Sequence, residues 1–161
     1  MGVSVFSQVW KAYDVWHLRD DLGDASRPVL RRSPAWSEDA SALYVDSLIN
    51  RFPLSPLVVQ SCRDAQGRGV LRLLDGWQRV GAIVAFGEDR LHLPSGFVFH
   101  GETWGGENVE AGGLTLSQVR ERYPYVARRF DTAIIPVERV KGDDAVLGEM
   151  LARLHGEVGG L

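Results

Sequence analysis

The chain has 161 residues, 45% of them apolar, a formal net charge of −3 and a pI near 5.8, which suits one globular domain with a real core. That charge excludes a surface coated in positive charge to hold long stretches of DNA, while a local basic groove stays open. Lys11 and Lys141 are the only lysines, so the cations are nearly all arginine, a side chain suited to two-pronged phosphate contact but one that GC-rich coding enriches equally well.

The opening MGVSVFSQVWK lacks a basic stretch followed by an apolar core, and no apolar run approaches the roughly 20 residues that span a bilayer. Cys62 stands alone, ruling out an internal disulfide and a cysteine-rich zinc site. The expectation is a soluble cytoplasmic protein with no membrane partner.

Asp14 is placed to cap a short helix in which Val15, Leu18 and Leu22 recur at helical spacing, ending at Gly23. An irregular segment, GDASRPVLRRSPAW, follows. Ser37, with Glu38 and Asp39 at the positive end of the dipole, opens a second helix whose stripe is Ala42, Val45, Leu48, Ile49 and Phe52, and Pro53 and Pro56 stop it. LVVQSC reads as a buried strand carrying Cys62, DAQGRG as a hairpin turn and VLRLL as the returning strand. Val80, Ile83, Val84 and Phe86 mark a helix lying on that sheet, closed by Gly87. GFVFHGETWGGENVEAGG reads as a strand and a glycine-rich surface loop. Ser117 caps a helix over Gln118 to Tyr123, Pro124 starts another to Phe130, TAIIPVERV is a strand, and a last helix runs from about Asp143 to Leu154. Helices and hairpin strands in this irregular order predict one α+β domain with a mixed sheet.

The P-loop, nucleophile-elbow, H-E-x-x-H and paired CxxC signatures are all missing. His17, His92, His100 and His155 are scattered at no ligand-like spacing, and none is assigned a role. What stands out is Asp75-Gly76-Trp77-Gln78-Arg79, between an apolar strand and a helix. Unsatisfied N–H groups and the dipole at a helix N-terminus favour an anion, and Gly76 would let a ligand approach the backbone closely. Arg79 would supply a two-pronged contact, Gln78 a neutral hydrogen bond, and Asp75 a cap, a metal-anchoring carboxylate or a base. The plain structural alternative has Asp75 capping, Gly76 turning, Trp77 packing and Arg79 solvated.

The same stretch resembles the Asp-Gly-x-Gln-Arg signature of the domain of unknown function 262 family, the N-terminal domain of GmrS/GmrD-type restriction proteins with a ParB/sulfiredoxin-like fold. Arg31-Arg32-Ser33-Pro34-Ala35-Trp36 resembles that family's Gln-Arg, three residues, then Trp, and VDSLINRFPLSPLVV resembles its helix and strand entry. Arg153-Leu154-His155 partly meets its Arg-Leu-Asn ending. The resemblance runs from about Tyr13 to Leu154, with two departures: Arg31 stands where the family has Gln, and His155 where it has Asn.

The resemblance implies a single ParB/sulfiredoxin-like domain serving as a nucleotide-binding regulatory unit of a restriction or phage-defence protein. Its ligand would be an NTP with Mg²⁺, and its partner a nuclease domain or subunit, because the chain carries no His-Asn-His nuclease domain of its own. Asp75 and Arg79 would form the catalytic core, with Arg32, Trp36, Gly76 and Gln78 binding the nucleotide and Trp36 either packing under the preceding loop or stacking on the base. Hydrolysis would need Asp75 to position a metal or water while the arginines offset developing charge. The sequence offers no second acid to complete a metal site, so binding rather than turnover is the expectation. The alternative is a ParB-like DNA-binding or adaptor module using Arg31, Arg51, Arg128 and Arg129 against backbone phosphates. A sulfiredoxin-type thiol enzyme is disfavoured because Cys62 lies in an apolar strand without a Gly-Cys-His motif.

Overall fold

The computed structural model describes residues 2–22 and 35–156. It is an α+β domain around one four-stranded mixed sheet in the order β1-β4-β2-β3. The strands are β1 (Ser4–Lys11), β2 (Leu57–Arg63), β3 (Gly69–Asp75) and β4 (Ile134–Lys141). β2 and β3 form an antiparallel hairpin, β1 pairs antiparallel with β4, and β2 and β4 run parallel at the centre. The hairpin turn is set by Asp64, whose carboxylate accepts the backbone N–H groups of Gln66 and Arg68 at 2.9 Å, and by Gly67 at φ 78°.

Alternation along the strands gives the sheet two buried faces. Leu57, Val59, Leu73, Ile135 and Val137 point into the main core. Covering that face are α1 (Ala12–Leu18), α2 (Glu38–Ile49), α3 (Trp77–Gly87), α4 (Leu116–Arg122) and α5 (Pro124–Asp131). Phe86 of α3 and Phe130 of α5 are both fully buried and meet edge to face at 5.0 Å between centroids, a geometry worth about 1 kcal/mol beyond area burial. Val58, Leu74 and Val140 point to the other face, where Leu147 and Leu151 of α6 (Asp144–Leu154) cover them. α6 therefore runs across the back of the sheet, and its C-terminal end lies next to the end of β3.

Local chemistry explains most boundaries and corrects several. The Ser37 hydroxyl accepts the Ala40 N–H at 3.2 Å and starts α2 as anticipated. That helix ends before the prolines, at Asn50 and at Arg51, which adopts φ 61°. Arg51 donates to the Thr132 carbonyl and hydroxyl, both at 2.9 Å, and these bonds hold the unfavourable backbone. Phe52, expected in the α2 stripe, lies beyond it and is exposed. Asp14 is not the cap residue of α1: it sits in the first turn and its carboxylate accepts the Lys11 N–H at 3.3 Å. The chain then continues through a 3-10 turn, Arg19–Leu22, and the expected stop at Gly23 lies outside the described residues.

Three further differences have clear causes. Gly87 is the last residue of α3 rather than its closing cap, and a Cβ there would fall 2.7 Å from the Trp16 ring, so packing demands the glycine. α4 is capped by Thr115 with Gln118, while Ser117 donates its N–H to Asp89 at 2.8 Å and its hydroxyl to the same carboxylate. The stretch 96–113 contains no strand, only a 3-10 turn at Trp104–Gly106. That stretch is fastened by Asn50, which is buried, donates to the Val98 carbonyl at 2.9 Å and accepts the His100 N–H at 2.8 Å.

Asn50→Ala strips both backbone groups of their partner and should lower unfolding free energy by about 2 kcal/mol in urea titration. The exposed control Asn108→Ala should stay within about 0.5 kcal/mol of the parent. Equal stabilities for the two variants would show that Asn50 does not fasten the stretch.

Candidate functional site

β3 ends at Asp75 and α3 begins at Trp77, so the whole strand-to-helix reversal falls on Gly76. Gly76 takes φ 105°, and a Cβ there would lie 2.3 Å from the Leu57 side chain and 3.2 Å from the Arg79 guanidinium. The glycine is thus required twice, by backbone conformation and by close packing. It is buried, and the structure gives it a conformational role. Trp77 packs on the main core.

Asp75 and Arg79 are brought together one helical turn apart. Arg79 Nη1 donates to the Pro56 carbonyl at 3.0 Å and lies 3.4 Å from Asp75 Oδ2. The other carboxylate oxygen, Oδ1, is 3.1 Å from His155 Nε2, at the end of α6. Asp75, Arg79 and His155 expose 22%, 20% and 33% of their side chains, so the carboxylate and guanidinium are partly buried while the imidazole stands at the exposed rim. Asp75 spends its carboxylate on these two neighbours and does not cap α3.

These residues line an open cleft of about 370 Å³, with Trp36, Ser55, Pro56, Val58, Gln78 and Leu154 completing its wall. Gln78 reaches it from the first turn of α3. Trp36, ahead of α2, is 38% exposed and meets Tyr44 edge to face at 5.6 Å, so it both packs and borders the cleft. Tyr44 is buried, with no hydrogen-bond partner for its hydroxyl among the described residues. Burial pushes its phenol up to about 12, opposed by the nearby Arg79 charge.

The remaining candidates stand elsewhere. Arg31 and Arg32 lie outside the described residues. Arg51 is engaged with Thr132, and both burial and the neighbouring Arg129 charge lower its pKa. Arg129 donates to the Ile49 carbonyl at 3.1 Å and lies over the Phe99 ring at 5.6 Å. Arg128 is exposed on α5. Among the described residues there is no group of three His, Cys, Asp or Glu side chains placed to hold a metal ion. No described helix is long and apolar enough to cross a membrane. Cys62 is a partly buried strand residue with a free thiol.

His155 is the residue that sequence reasoning left without a role. Its signal was its place after Arg153-Leu154, but only the path of α6 across the sheet reveals that it meets Asp75. No family model, no curated protein and no solved structure matches this chain.

Two glycines, one at the turn before α3 and one inside it, should respond to alanine with opposite sign. Gly76→Ala should cost about 1–3 kcal/mol through its positive φ and its contact with Leu57. Gly81→Ala, at an exposed interior position of α3 with nothing within 4 Å, should gain about 0.5–1 kcal/mol. Thermal or urea unfolding of both variants checks the pair, and a neutral Gly76→Ala would contradict the geometry given to the turn.

Proposed function

We propose that this protein is a nucleotide-binding regulatory domain whose ligand sits in the cleft between the Asp75–Gly76 turn and the end of α6. The observation that carries this reading is the position of Arg79. Its guanidinium lines a concave site at a helix N-terminus whose wall also includes Gln78 and the aromatic Trp36. A phosphate chain would meet the guanidinium and the dipole of α3, and Trp36 offers a ring face for a base. The cleft volume falls in the usual range for small-molecule sites. The described lining holds one arginine and one carboxylate, so a triphosphate would bring Mg²⁺ to balance its charge.

The resemblance of DGWQR to the domain of unknown function 262 signature supports the same reading and adds its context. In that context the domain belongs to a restriction or phage-defence system, in a ParB/sulfiredoxin-like fold, acting on a nuclease partner in the cytoplasm. The alternative of a DNA-binding or adaptor module draws less support, because its described arginines stand outside this cleft: Arg51 is bonded to Thr132, Arg129 to the Ile49 carbonyl, and Arg128 is exposed on α5.

The reading is tested by melting the protein with ATP, GTP, CTP or UTP, each with and without Mg²⁺. One of them at about a hundredfold its Kd should raise Tm by about 5 °C or more. Arg79→Ala and Asp75→Ala should remove that rise while leaving the circular dichroism spectrum folded. No shift with any nucleotide, together with a duplex affinity that collapses between low and moderate salt and depends on Arg128, would replace the proposal by the DNA module.

A further inference from the structure

We infer that β1 is a dimerisation edge: the free side of this strand pairs antiparallel with the β1 of a second copy of the chain, joining the two sheets across a two-fold axis at Ser7. β1 and β3 close opposite sides of the sheet, so this edge lies away from the cleft and the dimer is independent of the nucleotide reading. Among the described residues β1 has one strand partner, β4. A long sheet edge normally carries something that stops strand addition: a proline, a bulge, a charge in mid-strand or a covering segment. Among the described residues β1 carries none of these. SVFSQVWK contains no proline and no acid, its one base is Lys11 at the end, and its register with β4 runs without a shift. Val5, Phe6 and Val9 instead expose 54%, 53% and 61% of their surface.

Backbone alternation decides which groups face outward. The Ala12 N–H donates to the Ala133 carbonyl at 2.9 Å, and that pair continues the register of β1 on β4. Hydrogen-bonded pairs recur at every second residue of an antiparallel ladder. Trp10, Gln8 and Phe6 therefore spend their backbone groups on β4, while those of Val9, Ser7 and Val5 point away from the sheet. Lys11 agrees with this phase, for its N–H goes to the Asp14 carboxylate at 3.3 Å and not to β4.

The outward residues read Val5-x-Ser7-x-Val9, the same in both directions. A two-fold axis normal to the sheet sets Ser7 opposite the partner's Ser7 and Val5 opposite the partner's Val9 on the same face, and every outward N–H of the three meets a carbonyl. The small side chain at the axis leaves room for this approach, because the Ser7 hydroxyl is turned to the Glu138 carboxylate at 2.9 Å. The two copies of Lys11 stand at opposite ends of the paired strands, so no like charges meet. The edge is thus its own complement in hydrogen bonds, shape and charge, which is what a symmetric dimer requires. A strand edge alone is a small interface, so the expected Kd is about micromolar.

Sedimentation velocity of the full chain, without nucleotide, should show the mass rising from 17.8 kDa toward twice that value as concentration passes through the micromolar range. Val9→Lys and Val5→Glu, both at positions more than half exposed, should keep the parent's circular dichroism spectrum. Each sets a charge opposite a valine and should raise the dimer Kd about tenfold or more. An equimolar mixture of the two variants should dimerise again, because the register brings the introduced acid of one chain opposite the introduced base of the other. A 17.8 kDa species at every concentration would overturn the inference and leave the edge to a different strand. A dimer that both substitutions leave unchanged, growth beyond two copies, or a mixture no tighter than its components would overturn it equally.

Discussion

One carboxylate organises the cleft end of this molecule. Asp75 closes β3, the outer strand of the hairpin, and its two oxygens reach residues that arrive by separate routes: Arg79 from the next helical turn and His155 from the last helix. Through Arg79 the same cluster also holds the 53–56 connection, whose Pro56 carbonyl takes the guanidinium N–H. Removing a shared, partly buried acceptor leaves a guanidinium and an imidazole facing each other, so the three residues act as a unit. The left-handed turn at Gly76 makes the unit geometrically feasible, because it starts α3 immediately and puts Arg79 back over the strand end.

The sheet explains why such a cluster forms at this place. With β2 and β4 parallel at the centre, the chain needs a crossover between them, and α3, α4 and α5 supply it on the main-core face. α6 follows β4 and must cover the opposite face, where Val58, Leu74 and Val140 await it. Its C-terminal end therefore emerges beside the end of β3. Asp75, Gln78, Arg79 and His155 are consequently set at the ends of regular elements, while Trp36, Ser55 and Pro56 reach the cleft from irregular segments.

Much of this was legible in the sequence, for identifiable reasons. The hairpin LVVQSC-DAQGRG-VLRLL was readable because its strands are apolar on both faces and its turn has Asp64 and Gly67 at the positions the turn chemistry requires. α3, α5, α6 and β4 followed from apolar spacing and start signals such as Pro124, and the structure adds that Asp143 caps α6 by accepting the Val146 N–H at 2.9 Å. β1 was not readable. It is an edge strand with Val5, Phe6 and Val9 all exposed, so its sequence carries no inside-outside alternation to detect. The strand expected within 96–113 failed for the converse reason: Phe97 and Phe99 alternate like a strand and pack on the core, but the Val98 carbonyl and His100 N–H between and beyond them go to Asn50 and not to a pairing strand.

For the site, the sequence offered Asp75, Gln78 and Arg79 as neighbours along one turn, and the structure brings them to one cleft with Trp36. It could not offer His155, eighty residues away, since nothing local in Arg153-Leu154-His155 states where α6 will end. The proposed nucleotide occupies this cleft and no other surface. Backbone and side-chain NMR of the labelled protein titrated with an NTP and Mg²⁺ tests it most directly. Binding in the cleft should give saturating shifts at the Gln78 and Arg79 amides, the Trp36 indole and the His155 ring. Shifts centred on Arg128 and Arg129, or a spectrum that nucleotide leaves unmoved, would contradict it.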